Sequence, residues 1–334
     1  MTKKTTIPMA YKWVAGIVLL AGMFVLSITL GAANISIQDV WSAITFTNTN
    51  AKILVIQEIR LPREIGAALV GAAFGVAGAV MQGVTRNPLA DPGLLGLTAG
   101  ATAALAISLA FFPQLNYVGM MIACFIGAAL GSILVIILSA SGRGKLSPLR
   151  VVLAGAAISI FLSAITEAVA LSFKLSKNVS MWTSGGLIGT NWKQLALISP
   201  VIGVGILIAI ILSKQLTILS LSEEVAVGLG QKLTQIRALM FFAVILLTGA
   251  SVALVGNLAF VGLMIPHIVR RVVGTDYRYI VPMSAIFGAS FMMLADTIGR
   301  LINAPYETSI VAIVAVLGLP FFLYVVHKGG KSIL

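Results

Sequence analysis

Long apolar runs separated by short polar segments occupy almost the whole of this chain. A helix needs about 20 consecutive apolar residues to cross a bilayer core, and most of the runs approach that length. The predicted spans lie near 13–33, 65–84, 94–112, 118–140, 150–173, 195–213, 236–256, 257–269, 280–299 and 308–327. The sequence therefore predicts an all-α polytopic membrane protein with about ten transmembrane helices. The eighth run is too short to cross at full thickness, so protein or a water-filled cavity should surround it.

Charge is scarce throughout the chain. Only 10% of its 334 residues are charged, whereas a soluble domain carries about a quarter. The net charge of +12 does not indicate nucleic-acid binding, because the basic residues lie in short loops between apolar runs. We expect one membrane domain over residues 1–334, in contact with lipid and with no nucleic-acid partner.

The basic residues also predict an orientation. If both termini are cytoplasmic, fifteen of the 22 basic residues lie inside and seven outside. The positive-inside rule therefore favours cytoplasmic N- and C-termini. The first run follows Lys3, Lys4 and Lys12 and is longer than a signal-peptide core, so we expect it to be a retained span.

Three arginines fall on the outer side in this topology. Arg60 and Arg63 bracket Leu61 and Pro62, and Arg300 closes the ninth span. Pro62 should break a helix that arrives from the preceding loop. Exposed guanidiniums there could bind an acidic partner, although snorkelling of long side chains to the interface is the commoner explanation.

A second feature is the polar turn between the second and third runs. Pro88 and Pro92 cannot both lie in one regular helix, so residues 87–100 should contain a rigid turn. Asp91 is placed to cap a helix that has Pro92 at its first position, and a constriction-lining loop is the functional alternative. Ahead of the turn, small residues mark a closely packed helix face: Gly66, Gly71, Gly75 and Gly78.

The segment 219–235 mixes polar and small residues on the predicted cytoplasmic side. Its glycines suggest two brief helices joined by a turn. A partner surface or an ordinary interfacial loop would both fit.

Acidic residues inside the apolar runs are functional candidates, because a charge in the membrane is costly. Asp296 lies four residues before Arg300, so an ion pair between them is the simpler explanation. Glu307 lies near the start of the last span and could contact the same pair. Glu167 has no evident partner in the sequence, and a proton relay would need more such groups along one path.

The sequence lacks the motifs of several kinds of catalytic and metal-binding site. The chain has no Gly-rich phosphate loop ending in Lys-Ser or Lys-Thr and no His-Glu-x-x-His pair. Its single cysteine, Cys124, lies in an apolar run and is expected to serve packing. We therefore predict a non-enzyme that binds no cofactor or metal of its own.

Taken together, the segments resemble the FecCD family, the permeases of ABC importers for iron chelates, haem and vitamin B12. The resemblance is carried by Arg60-Leu61-Pro62-Arg63, Met81-Gln82, Asn87 to Gly93, Trp182, Gly185-Gly186, Gly228-Leu229-Gly230, Phe260 to Leu263, Pro266-His267, Arg270, Leu294-Ala295-Asp296 and Arg300. All of them occur in order over nearly the whole chain.

The resemblance implies a type II ABC importer permease architecture in a bacterial plasma membrane. Two permease subunits, identical or paralogous, would surround a central pathway, and two cytoplasmic ATPases would use the ATP. It further implies that an extracytoplasmic substrate-binding protein docks on Arg60, Arg63 and Arg300. Coupling to the ATPase maps to Leu221, Glu223, Glu224, Ala226, Gly228, Leu229 and Gly230. An inner gate maps to Asn87, Leu89, Ser147, Pro148 and Leu149.

The predicted function is therefore alternating-access import of an iron chelate, with a ferric siderophore first and vitamin B12 or haem next. Naked metal ions would require clustered carboxylate or thiolate ligands. The alternatives are a proton-coupled secondary transporter that uses Glu167, Asp296 and Glu307, and a passive channel or assembly subunit.

Overall fold

The computed structural model describes residues 8–31, 35–45, 50–140, 148–184, 186–304 and 306–329, and the described part is helical throughout apart from connecting turns. The helices are α1 (Met9–Thr29), α2 (Ile37–Thr45), α3 (Ala51–Val55), α4 (Leu61–Thr85), α5 (Leu97–Phe111), α6 (Tyr117–Ala140), α7 (Pro148–Ser172), α8 (Ser176–Ser184), α9 (Trp192–Ile211), α10 (Ser213–Leu221), α11 (Glu223–Gly228), α12 (Leu233–Val255), α13 (Val261–Val273), α14 (Tyr277–Leu301) and α15 (Ile310–Gly329). A π-helical turn (Ile56–Arg60) joins α3 to α4, and a 3-10 turn (Pro92–Leu95) precedes α5.

Each predicted span coincides with a helix, and the boundaries agree within a few residues. In the described part of the chain, seven helices are long and apolar enough to cross a membrane, and two apolar stretches are shorter, α5 and the part Ile310–Val325 of α15. The eighth run forms α13, which has only 13 residues. The polytopic class is confirmed, while the count of ten spans stays a prediction.

Helix α4 lies at the centre of the molecule and packs against α9, α12, α13 and α14. Glycines of α4 lie where its backbone comes closest to the backbones of α13 and α14. A Cβ atom on Gly71 would lie 2.1 Å from the carbonyl oxygen of Gly288, and one on Gly78 would lie 1.8 Å from that of Gly262. Backbones can meet this closely only where side chains are absent, so the predicted small-residue face is confirmed.

The prediction that Pro62 breaks the incoming helix is wrong. Residues 51–85 form one continuous helical stretch of 35 residues. In the π-helical turn, Leu61 N–H donates to the carbonyl of Ile56, and Pro62 cannot make the next such bond to Gln57. The Gln57 carbonyl instead accepts from Trp192 Nε1 at 2.9 Å. Because another helix supplies a donor to the carbonyl that Pro62 leaves without a backbone partner, the helix continues through Pro62.

Helices α5, α6 and α7 form a second packed group, and α12 contacts both α4 and this group. The two backbones of α5 and α6 also meet at glycines, because a Cβ on Gly100 would lie 2.2 Å from the Gly127 carbonyl oxygen. Cys124 is buried in the same core, which agrees with a packing role.

The turn after α4 has the capping that the sequence predicts. Arg86 adopts a left-handed conformation at φ 51°, and Asn87 N–H donates to the Gln82 carbonyl at 3.2 Å, so α4 ends in a Schellman-type cap. Asp91 then accepts a hydrogen bond from Gly93 N–H at 2.8 Å, with Pro92 at the first position of the 3-10 turn. Burial raises the pKa of the Asp91 carboxyl to about 6.

Candidate functional site

At one end of the bundle, charged side chains from the π-helical turn, α4, α14 and the segment before α15 form a cluster, here called the arginine cluster: Arg60, Arg63, Glu64, Asp296, Arg300 and Glu307. Asp296 lies at its centre and is almost completely buried. Arg63 Nε lies 2.9 Å and 3.1 Å from the two carboxylate oxygens of Asp296, and its Nη1 lies 2.7 Å from Glu307 Oε1. Such charge-assisted contacts hold the guanidinium in one orientation.

Arg300 is enclosed by the same cluster. Its Nε lies 3.0 Å from Asp296 Oδ2, which confirms the predicted ion pair, and its Nη2 contacts Glu64. Arg300 also donates to the carbonyl oxygens of Ser27, at 2.9 Å, and Leu30, at 3.1 Å. The carbonyls that end α1 have no intrahelical partner, so a cation from α14 is well placed to bind them.

The expectation that all three guanidiniums project freely from the surface is wrong. Arg60 is 7% exposed and Arg300 is 9% exposed. Arg60 Nη1 donates to the Ile28 carbonyl at 2.5 Å. Arg60 and Arg300 therefore both bind main-chain carbonyls at the end of α1. Whether the cluster docks a binding protein stays a prediction.

Glu64 was missed by the sequence analysis, although it is a carboxylate inside an apolar run and directly follows Arg63. It is fully buried on the first turn of α4. Together with Asp296 and Glu307 it gives the cluster three acidic groups against three arginines. The balance explains how so many charges can be buried together, since an unpaired one would be costly.

Helices α10 and α11 are two short helices, here called the elbow; they are joined at Ser222, whereas the glycines expected at the turn lie at and after the end of α11. Ser222 accepts from Val225 N–H at 3.1 Å and so caps α11. Apolar side chains project from the elbow, with Leu221 69% and Leu229 65% exposed. Gly230 follows at φ 75° and ends the elbow in a left-handed conformation that favours glycine.

The residues predicted for coupling do not all face the same way. Glu224, Gly228 and Leu229 are exposed, whereas Ala226 is buried and packs inward. Glu223 also turns toward the bundle: its Oε1 lies 3.1 Å from Arg86 Nη2 and 2.5 Å from Arg237 Nη2. Sequence reasoning missed both of these arginines, because neither is close to Glu223 along the chain.

Of the predicted gate residues, Asn87 and Leu89 lie in the turn after α4. Asn87 Oδ1 accepts from Leu89 N–H at 3.0 Å, and Leu89 is exposed. Pro148 and Leu149 begin α7, which packs against the 3-10 turn Pro92–Leu95, while Ser147 lies outside the described residues.

The acidic residues proposed for a proton relay do not form one. Asp296 is held between two arginines, and Glu307 is paired with Arg63. Glu167 lies exposed on α7 and has no ion pair among the residues that the structure describes. The proton-coupled alternative is therefore not supported.

Comparison with known proteins gives matches that extend over nearly the whole chain. The model of the FecCD transport family matches residues 19–328. The chain is 42% identical over 321 residues to the iron(3+)-hydroxamate import system permease protein FhuB of Bacillus subtilis (strain 168), covering 96% of this chain and 84% of that protein. It is 35% identical over 312 residues to the hemin transport system permease protein HmuU of Yersinia pestis, covering 90% of this chain and 91% of that protein.

A solved structure agrees with these relatives. An inward-facing metal-chelate type ABC transporter is similar to this chain with a TM-score of 0.81 at 28% identity, covering 94% of this chain and 97% of that one. The similarity therefore includes the helix arrangement as well as the sequence.

Proposed function

Because this chain belongs to the FecCD transport family, we propose that it carries a ferric chelate, in the first place a ferric hydroxamate siderophore, across the membrane. It is a multi-pass membrane permease subunit of a bacterial ABC importer, a non-catalytic component whose ATP is hydrolysed on separate subunits. The observation that carries the cargo proposal is the 42% identity, over almost the full chain, to a permease named for iron(3+)-hydroxamate import.

The distribution of metal-binding side chains supports a chelated cargo rather than a bare ion. Within the described ranges, no group of three or more His, Cys, Asp or Glu side chains could hold a metal ion. Iron without a chelator would need such a group of oxygen, nitrogen or sulfur ligands on its path. A chelator fills the coordination sphere of the iron, so the pathway needs only a suitable size and polarity.

We expect uptake to require three components in proteoliposomes: this permease with any second permease, its ATPase supplied with ATP, and the substrate-binding protein. The probe is a radiolabelled ferric hydroxamate, with ferric citrate and hemin as comparison cargoes. Omitting the ATPase or the binding protein should reduce uptake to the level of empty liposomes. Uptake by the permease alone under a pH gradient would overturn the proposal.

One exposed face of α7 fits the second permease subunit or the pathway between two subunits. Three alanines and one carboxylate are exposed on this face, interleaved with large apolar side chains: Ala157, Ala164, Glu167 and Ala168 with Leu153, Phe161 and Leu171. Small side chains allow close helix packing in membranes, and Glu167 would be costly against lipid, by about 3 kcal/mol at mid-membrane. The carboxylate disfavours lipid contact, so the part of this face around Glu167 meets protein or water in the assembled importer.

The elbow provides the surface for the ATPase. Leu221, Val225, Val227 and Leu229 are exposed apolar side chains next to an exposed carboxylate, Glu224. Apolar side chains grouped on an aqueous surface are typical of protein interfaces. The turn of Asn87 and Leu89, with the start of α7, serves as the inner gate on the same side of the membrane.

For the binding protein, Arg63 is the best placed of the three arginines. Its partner Glu307 is 34% exposed, so a carboxylate on the binding protein can replace Glu307 at Arg63 without opening the buried core. Arg60 and Arg300 position the end of α1 instead. Reversing their charge would place a carboxylate beside main-chain carbonyls and Glu64, which tests folding rather than docking.

We expect Arg63→Gln to weaken docking of the binding protein by about ten-fold, the loss of one charge-assisted contact. Glu307→Gln should leave docking unchanged or tighten it, because it removes the competing carboxylate. Affinity is measured for the purified binding protein on the complete transporter in nanodiscs. Equal affinities for Arg63→Gln and the unmodified protein, both eluting as intact complexes, would remove Arg63 from the interface.

A further inference from the structure

The carboxylate of Glu223 joins three parts of the chain that are far apart in sequence. Glu223 is the first residue of α11, Arg86 ends α4, and Arg237 lies in the first turns of α12. The same oxygen, Oε1, lies 3.1 Å from Arg86 Nη2 and 2.5 Å from Arg237 Nη2. Arg237 is buried and holds the Glu223 carboxylate beside α12. The same carboxylate also contacts Arg86 at the end of α4.

Arg86 is an unusual residue to find at this position. It is one of few described residues other than glycine with a positive φ, 51°. Its conformation closes the end of α4, and the turn that contains Asn87 and Leu89 begins at the next residue. A displacement of Arg86 relative to α4 therefore changes the direction in which this turn leaves the helix.

Glu223 also belongs to the helix that presents the elbow surface. Val225, Val227 and Leu229 project from within six residues of it. Helix α10 is anchored separately: Tyr277 N–H donates to Thr217 Oγ1 at 2.9 Å, and Thr217 donates to Asp276 at 3.1 Å. Helix α10 also packs against α4, where its Leu216 lies beside Gly83, whereas α11 is linked to the end of α4 by the Glu223 carboxylate.

We propose that the Glu223–Arg86 ion pair transmits movement of the elbow to the turn after α4, so that a push on α11 opens or closes the inner gate. This inference rests on the proposed function in taking the elbow as the ATPase surface. Both side chains are partly exposed, and such pairs contribute little to stability. A positional role explains why a carboxylate faces the bundle here while the neighbouring Glu224 faces outward.

The test compares neutral variants in the complete transporter with its ATPase. Glu223→Gln and Arg86→Gln are each combined with a reporter cysteine, Leu89→Cys, in a Cys124→Ser background. Thiol labelling of the reporter with and without ATP measures movement of the turn, and ATP hydrolysis is measured on the same samples. Lys232→Gln is the matched control, because Lys232 is an exposed charge just beyond the elbow with no ion pair in the described ranges.

We expect ATP to change the labelling rate of the reporter in the unmodified background and in Lys232→Gln. In Glu223→Gln and in Arg86→Gln, the response should fall by about ten-fold while ATP hydrolysis continues. The double variant should lose no more than either single variant, since both remove the same contact. Arg86→Lys, which keeps the charge, should retain most of the response.

A reporter that responds to ATP equally in Glu223→Gln and in the unmodified background would overturn the proposal, as would a reporter that never responds to ATP. Failure of the cargo proposal gives a different result. In that case ferric hydroxamate uptake is absent from every sample, while the nucleotide response of the reporter still depends on Glu223.

Discussion

Gly78→Ala is expected to prevent this chain from accumulating as a folded protein. The added Cβ would lie 1.8 Å from the Gly262 carbonyl oxygen and 2.5 Å from its Cα, and neither atom belongs to a side chain that could rotate away. Helices α4 and α13 would have to separate by more than an ångström, at a cost of about 3 kcal/mol or more. The measurement is the fraction of detergent-extracted protein that elutes as a single species in size-exclusion chromatography.

Gly203→Ala is the matched control, because a Cβ there meets no atom within 4 Å. It lies inside α9, and alanine favours a helix over glycine by up to about 1 kcal/mol, so the yield should be equal or higher. If Gly78→Ala elutes like Gly203→Ala, the close approach of α4 to α13 is not required for folding.

The second large effect is expected at Asp296. Asp296→Asn removes the charge that holds both Arg63 and Arg300, and leaves an excess of positive charge in a buried cluster. Removing one partner of a buried ion pair costs about 3–5 kcal/mol. We therefore expect the thermal unfolding midpoint of the detergent-solubilised protein to fall by several degrees, and the fall to be smaller when Arg63→Gln restores the balance of charge.

Glu58→Gln provides the comparison for Asp296→Asn. Glu58 lies in the π-helical turn close to Arg60, but it is exposed and forms no ion pair within the described residues. Its neutralisation should change the unfolding midpoint by no more than the scatter of the measurement. Equal midpoints for the two variants would show that the charge of Asp296 contributes nothing to stability.

Much of the fold could be predicted from the sequence because one physical constraint dominates it. A helix that crosses a bilayer must be apolar over a known length, so the run near 280–299 already indicated α14, observed at Tyr277–Leu301. Contacts between residues that are close in sequence could be predicted equally well. The pair of Asp296 and Arg300 and the cap at Asp91 both depend on residues at most four positions apart.

Long-range contacts could not be predicted from such patterns. Arg300 is buried because the end of α1, 270 positions away in the case of Leu30, supplies carbonyl oxygens to it. Pro62 does not interrupt its helix because Trp192, on another helix, takes over the stranded carbonyl of Gln57. Glu223 turns inward for the same reason, since its partner Arg86 is distant in sequence and close only in the folded chain.

The uninterrupted helix 51–85 has a mechanical consequence for an importer. At 1.5 Å per residue its 35 residues extend about 52 Å, more than the roughly 40–45 Å thickness of a bilayer with its headgroups. Arg63 lies twelve residues from the start of this stretch and Arg86 directly follows its end, so about 35 Å of helix separates the two arginines. One helix thus joins the arginine cluster to the turn after α4, so a tilt of that helix would move both of them together.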